Sequence, residues 1–341
     1  MVEKPSSRDR RSIERYFTMK KSPTSLRSRR HQSDSLRALA PRGGSDLAYV
    51  WALRVVAALF SIVLLAFVYS VVHQSWPAWA HHGLSIITGT RWDPAGSVYG
   101  ALPLILDTLI STAVALLFAV PIGLGTALVL NFVLPRRLRT VTSTLVELLA
   151  AIPSVVYGLW GLYVLIPWMS ATFEPWLANL TGNSWPFNGP SLGAGIMLAS
   201  VVLAIMILPT IVAISRDVIA ALPQDLNEGA LSLGASKSQV LRKIILPSAR
   251  SGILGAISLG AGRALGETVA VLMVIGGNAQ MPRSLFSVGA TLASTIATEY
   301  AEATPQNLAA LGALAVILMV LTASVNAVAR ILVRRAGALR A

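Results

Sequence analysis

The sequence predicts an all-α membrane protein with six transmembrane helices. Three observations carry this expectation. Of 341 residues, 54% are hydrophobic and only 13% are charged, against about 45–50% and about 25% in a soluble domain. The apolar residues gather in six long runs, approximately 50–73, 104–133, 141–169, 192–215, 252–276 and 308–333. Each run reaches the ~20 helical residues that a bilayer core requires. Outside the tail, the charges sit almost wholly between the runs. These features exclude an ordinary soluble globular protein, and they exclude disorder for most of the chain.

Residues 1–49 hold 12 Lys and Arg against 5 Asp and Glu, with few apolar residues, and read as a disordered basic tail. The first run follows. Ala78-Trp79-Ala80 imitates a cleavage site, but about 24 apolar residues precede it, where a signal peptide has about 7–15, so an uncleaved span is expected. Pro121, Pro153 and Pro209 lie inside runs. A membrane bundle tolerates such kinks because neighbouring groups satisfy the freed carbonyls. Asp107, near the outer end of the second span, is expected to be interfacial and solvated. The segment 277–307 is moderately apolar and fits an amphipathic outer helix or a re-entrant segment. Residues 50–335 are expected to form one six-helix membrane domain, with a loop at 217–250 and a short end at 336–341.

The loops orient the chain. One side carries the tail, Arg136, Arg137, Arg139, Arg216, Lys237, Arg242, Lys243, Arg250, Arg334, Arg335 and Arg340; the other carries Arg91 and Arg283. By the positive-inside rule both termini and the 217–250 loop face the cytoplasm. The outward loops hold Trp76, Trp79, Trp92, Trp176 and Trp185, with Trp168 at their edge, ordinary interfacial anchors. The net charge of +13 is therefore a topological signal, and no nucleic-acid partner is expected. The chain has no cysteine and four histidines, which excludes disulfides, thiolate metal sites and cysteine nucleophiles. His81 and His82 read as a solvated pair, with no metal or other cofactor expected.

The loop between the fourth and fifth spans is the most informative stretch. Pro223 and Asp225 open a short helix and Gly234 closes it. Ser236 and Gln239 form a capping box for a second short helix, which Leu246-Pro247 is expected to end. Leu231, Leu233, Val240, Leu241, Ile244 and Ile245 are too many apolar residues for so short a knob to bury alone. A partner surface is implied.

This pattern resembles the EAA loop of ABC importer permeases. It stands here as Glu228, Gly229, Ala230, Gly234, Ile244, Leu246 and Pro247. The departure is Gly229, where the family usually has Ala. The stretches Glu147–Gly161 and Leu259–Thr268 further resemble phosphate-uptake permeases, of the PstC type more than the companion PstA type. The resemblance covers about residues 50–335. It implies a type I ABC importer permease fold in a bacterial cytoplasmic membrane. It also implies an ATP-binding subunit dimer docked on the loop, a companion permease, an extracytoplasmic phosphate-binding protein and surrounding lipid. The chain has no G-x-x-x-x-G-K-[ST] motif, so ATP hydrolysis is expected on another chain and this one is not an enzyme.

Two ionisable residues lie deep in the fifth run. Arg263 is about 11 residues from its cytoplasmic end, roughly 16 Å. Glu267 is one turn further, on the same face if the helix continues. Glu147, in the third run, is within reach of Arg263 if those spans are neighbours. A mid-membrane charge faces the bundle interior and pairs. Arg263 therefore either lines an anion path shared with Glu267, Glu147 and Thr268, its planar fork matched to oxyanions and Glu267 pairing with it at rest and releasing it or being protonated as the anion passes, or forms a structural ion pair that locks the fifth span to a neighbour. The resemblance favours the path. Thr268 either contacts the anion or bonds its own backbone. Gly262 and Gly266 form a small-residue face for close helix contact. Other oxyanions, sulfate or molybdate, remain alternatives to phosphate. A stand-alone secondary transporter lacks support, since no internal repeat is present. An embedded enzyme lacks a convergent set of reactive groups.

Overall fold

The computed structural model describes residues 44–338. The expected tail therefore lies outside the described residues up to position 43, as does the end of the chain from 339. From Gly44 the chain is already helical, six residues before the first apolar run begins.

Helix α1 spans Gly44–His82 and passes through both of the compact units into which the chain divides, up to Val68 and from Tyr69 onward. In the first unit its apolar side chains from Trp51 to Phe67 are exposed. In the second, its last turns bury Ser75 and Ala78. A short α2 (Ser85–Thr88) and a two-strand hairpin follow, β1 (Trp92–Asp93) and β2 (Val98–Tyr99), with Trp92 opposite Tyr99. Then come α3 (Leu102–Phe132), α4 (Arg136–Ala151), α5 (Ser154–Leu180) and α6 (Ile196–Ala220). The chain continues as α7 (Gln224–Ser232), α8 (Lys237–Gly266), α9 (Val269–Ile275), α10 (Leu292–Glu299) and α11 (Pro305–Ala338). Among the described residues, six helices are long and apolar enough to cross a membrane: α1, α3, α5, α6, α8 and α11. They correspond one to one with the six runs.

Helix α6 is the most buried of these and packs against α3, α4, α8 and α9. Ile211, fully buried, fits between two glycines. A Cβ on Gly123 of α3 would lie 2.9 Å from it, and one on Gly260 of α8 3.2 Å. A Cβ on Gly252 would collide with Val218. Missing side chains let backbones approach, which is how helices gain dispersion contact in lipid. The expected small-residue face is a different one. Gly266 has no atom within 4 Å of a Cβ position, and Gly262 meets only Asn326, at 3.8 Å. At 100° per residue these two sit on the side of α8 opposite Gly260, so Gly252 and Gly260 make the close contact within the chain.

Three further expectations change. The third span does not run through Pro153. Ile152 is extended, with ψ 127°, and α4 ends there, because a proline disfavours the helical conformation in the residue before it. Pro121 and Pro209 do lie inside helices. The second knob helix does not stop at Leu246-Pro247. It runs on through a π turn at Leu241–Ile245 into the fifth span. A π turn bonds to the residue five back, as Leu246 N–H does to Leu241, and its width admits a proline that has no N–H to give. The fifth span does not continue to Gly276. It breaks at Glu267, where ψ is 128°.

The segment 277–307 folds back into the protein. Asp107 is buried, contrary to the solvated state expected, and accepts the Ala290 N–H at 2.9 Å. Thr108 accepts the Leu292 N–H at 3.0 Å. A Thr291–Ser294 capping box starts α10 between them. Burial in this case follows from a backbone that supplies donors to the carboxylate.

Candidate functional site

The knob is built as its local signals dictate. Gly234 adopts φ +82°, its N–H reaches Leu231 O at 3.0 Å, and Ala235 N–H reaches Ala230 O at 3.1 Å. That pair of bonds is a Schellman closure, which a glycine adopts without strain. Ser236 and Gln239 form the expected reciprocal cap. Ala230, Val240 and Ile245 are buried against Ala127 of α3, Ile219 of α6 and Ala249 and Ile253 of α8. Ile244 and Leu246 are partly buried beside them, and Pro247 is exposed. The knob is therefore fixed to the ends of three spans. Glu228 and Gly229 are exposed, and a Cβ on Gly229 would meet nothing. Leu231 is exposed and Leu233 is 90% exposed. A cavity of about 460 Å³ lies beside the knob, walled by Phe132, Val133, Leu231, Val240 and Leu241 among others. An apolar tip this bare fits burial by another protein.

The deep charges are distributed differently from expectation. Arg263 is exposed in the last turn of α8, and no carboxylate among the described residues pairs with it. The break after Gly266 removes the one-turn spacing that would have joined it to Glu267. Glu267 instead accepts the Ala270 N–H at 3.3 Å, and Thr268 Oγ1 donates to Gly266 O at 3.2 Å. These two side chains satisfy backbone groups freed by the break. Glu147 lies on α4, outside the spans, and takes Arg216 at 3.3 Å. Arg216 also holds Asp217 at 2.9 Å.

Sequence reasoning missed Tyr157. It is buried next to the Pro153 break, and its hydroxyl donates to Leu149 O at 2.8 Å. At the adjacent Gly158, a Cβ would lie 3.1 Å from Ala270 Cα and 2.6 Å from Met273 Sδ. The broken third and fifth spans thus meet here, each just past its own interruption, with Arg263 beside them. Irregular backbone at such depth occurs where it is buried in protein or lines a cavity.

A second missed feature is on the tryptophan-rich side. Trp92 is buried and donates its indole N–H to both carboxylate oxygens of Glu299, at 3.0 and 3.1 Å. It is more than an interfacial anchor. Burial pushes the Glu299 carboxyl up, and the Trp92 bond partly opposes this. Tyr99 packs edge-on to Trp92 and hydrogen-bonds Asn307. Hairpin, α10 and α11 are joined by this cluster.

Residues 119–337 match the model of a family described as binding-protein-dependent transport system inner membrane component. The phosphate transport system permease protein PstC of Haemophilus influenzae is 42% identical over 283 residues, which is 82% of this chain and 90% of that one. The protein of the same name from Xylella fastidiosa is 40% identical over 86% of this chain and 94% of its own. Among solved structures, a bacterial alginate ABC transporter in complex with its pentasaccharide-bound periplasmic protein aligns with a TM-score of 0.58 and 18% identity. That alignment covers 86% of this chain and 98% of the other. This last likeness is one of fold.

Proposed function

Since the chain belongs to the family of binding-protein-dependent transport system inner membrane components, we propose that it is a permease subunit of an ATP-driven importer of inorganic phosphate. The observation that carries this reading is the knob. It is rigidly seated on three spans, apolar at its tip and positioned to receive another protein. The substrate follows from relatives about 40% identical along most of the chain that are named for phosphate.

In this reading the arginine-rich end faces the cytoplasm of a bacterial inner membrane. An ATP-binding subunit dimer docks on Glu228–Pro247, with the exposed Leu233 as its apolar contact. A companion permease completes the translocation path, and a phosphate-binding protein delivers substrate to the tryptophan-rich side. The remaining surface of the spans meets lipid. Arg263 takes the passing oxyanion. Its planar fork donates parallel hydrogen bonds to phosphate oxygens, and among the described residues no carboxylate competes for it. A single guanidinium also permits release, which a cage of several would hinder. Glu267 and Thr268 hold the break that presents Arg263, and Glu147 acts from α4 outside the path.

The test is the purified complex in vesicles. ATP hydrolysis stimulated by the phosphate-loaded binding protein and unchanged by sulfate supports the reading. Equal stimulation by sulfate removes the substrate assignment. Failure of any ATP-binding subunit to co-purify removes the importer assignment.

A further inference from the structure

We infer that Tyr157 is a positioning residue that carries the movement of the knob to Arg263. The inference rests on the importer reading above. It comes from a continuous run of contacts. Helix α7 opens right after Pro223, three residues beyond the end of α6. On α6, one turn before its end, Arg216 grips Glu147 of α4 at 3.3 Å. Asn131, at the end of α3, donates to Arg216 O at 3.1 Å and accepts from Arg139 of α4 at 3.0 Å. So α4 is tied to the knob end of the protein at two points. Two residues beyond Glu147, in the last turn of α4, the Tyr157 hydroxyl holds Leu149 O at 2.8 Å. That bond spans the Ile152–Pro153 interruption.

The bond sits on a residue that cannot yield. The Tyr157 ring is buried in the largest apolar cluster, with Met169, Ala264 and Val271. Ala264 is the chain neighbour of Arg263, so the ring packs one residue from the arginine's backbone. Leu149 O is one of the final carbonyls of α4, which have no helical partner. Ile152 N–H reaches it only at 3.4 Å. The phenol is therefore the better of the two bonds to this carbonyl, and the chain at Ile152 and Pro153 is otherwise free to bend. A joint of this kind conveys a displacement when it is latched and absorbs it when it is not.

Tyr157→Phe keeps the buried ring and removes the latch. In the reconstituted complex we expect unchanged assembly, continued ATP hydrolysis and a fall of about fivefold or more in phosphate imported per ATP, the low end of ordinary coupling between sites. Glu147→Gln should lower the same ratio, and the double variant should be no worse than the more affected single one. A wild-type ratio in Tyr157→Phe, or strictly additive losses in the double variant, overturns the inference. Loss of assembly in Tyr157→Phe also overturns it, since the hydroxyl is then structural. Arg263→Ala decides the path assignment separately. Wild-type uptake in that variant ends the path reading whatever Tyr157→Phe does.

Discussion

Glu147 pairs with Arg216 at 3.3 Å, on a helix outside the spans, and leaves Arg263 without a carboxylate partner among the described residues. Breaking a buried ion pair costs about 3–5 kcal/mol. With no such pair at Arg263, its removal should cost little stability. Arg263→Ala is expected to assemble with its partners and melt within a few degrees of the wild type, while phosphate uptake in vesicles is abolished. A large loss of thermal stability with uptake preserved would falsify the path role.

Gly234 is held at φ +82° by the closure of α7. A β-branched residue in this conformation costs about 1–2 kcal/mol from the backbone alone. Gly234→Val should leave the protein in the membrane but lower uptake relative to ATP hydrolysis. Gly229 is the opposite case, helical and open. Gly229→Ala should raise the stability of α7 by about 0.8–1 kcal/mol with transport retained, read by hydrogen exchange of the knob.

Gly158 and Gly266 separate two kinds of glycine. Any side chain at Gly158 meets Ala270 Cα and Met273 Sδ. Gly158→Leu should destabilise by about 1–3 kcal/mol through overpacking, seen as a lower melting temperature. Gly266→Ala meets no atom of this chain and should melt as the wild type does. A matching loss in both variants would show that the space beside Gly266 is filled in the folded protein.

Glu299 sets a pH dependence. Its folded value lies above the ordinary glutamate value because burial disfavours the charge. The folded state then binds more protons than the unfolded one across that interval, so stability falls as pH rises through it. The contribution is whole below the unfolded value of about 4.5 and is lost as pH climbs past the raised folded value. The Glu299→Gln variant should lack this component. Melting curves of the two proteins from pH 4 upward, with Trp92 emission as a local probe, should diverge as pH rises.

The spans and the knob were legible because their signals are local. A 20-residue apolar run, the Ser236–Gln239 cap and the Gly234 closure each act within a few residues. The interruption at Pro153 carried a local signal too, since Ile152 precedes a proline, but the apolar run around it argued for a kink instead. The break at Glu267 has only weak markers: Glu267 reads as a path charge, although it also satisfies backbone, whereas Thr268 bonds its own backbone as one of its two readings expects. Asp107, Trp92, Glu299 and Tyr157 were misplaced or missed for a different reason. Their partners stand 183, 207, 207 and 8 residues away, and even the last lies across a bend, so helical spacing does not disclose it.

The π turn before Pro247 has a mechanical consequence. Because the helix does not stop there, one unbroken rod runs from Lys237 to Gly266, 30 residues or about 45 Å at the usual rise. A rod of that length keeps Lys237 and Arg263 at a fixed separation, so a change around Arg263 must come from the elements packed on the rod, and the backbone softens first at Glu267. The knob and the residue proposed to hold the anion are thus two ends of one stiff member, with its compliant joint one turn beyond Arg263 and the Tyr157 cluster as the place where a second element bears on it.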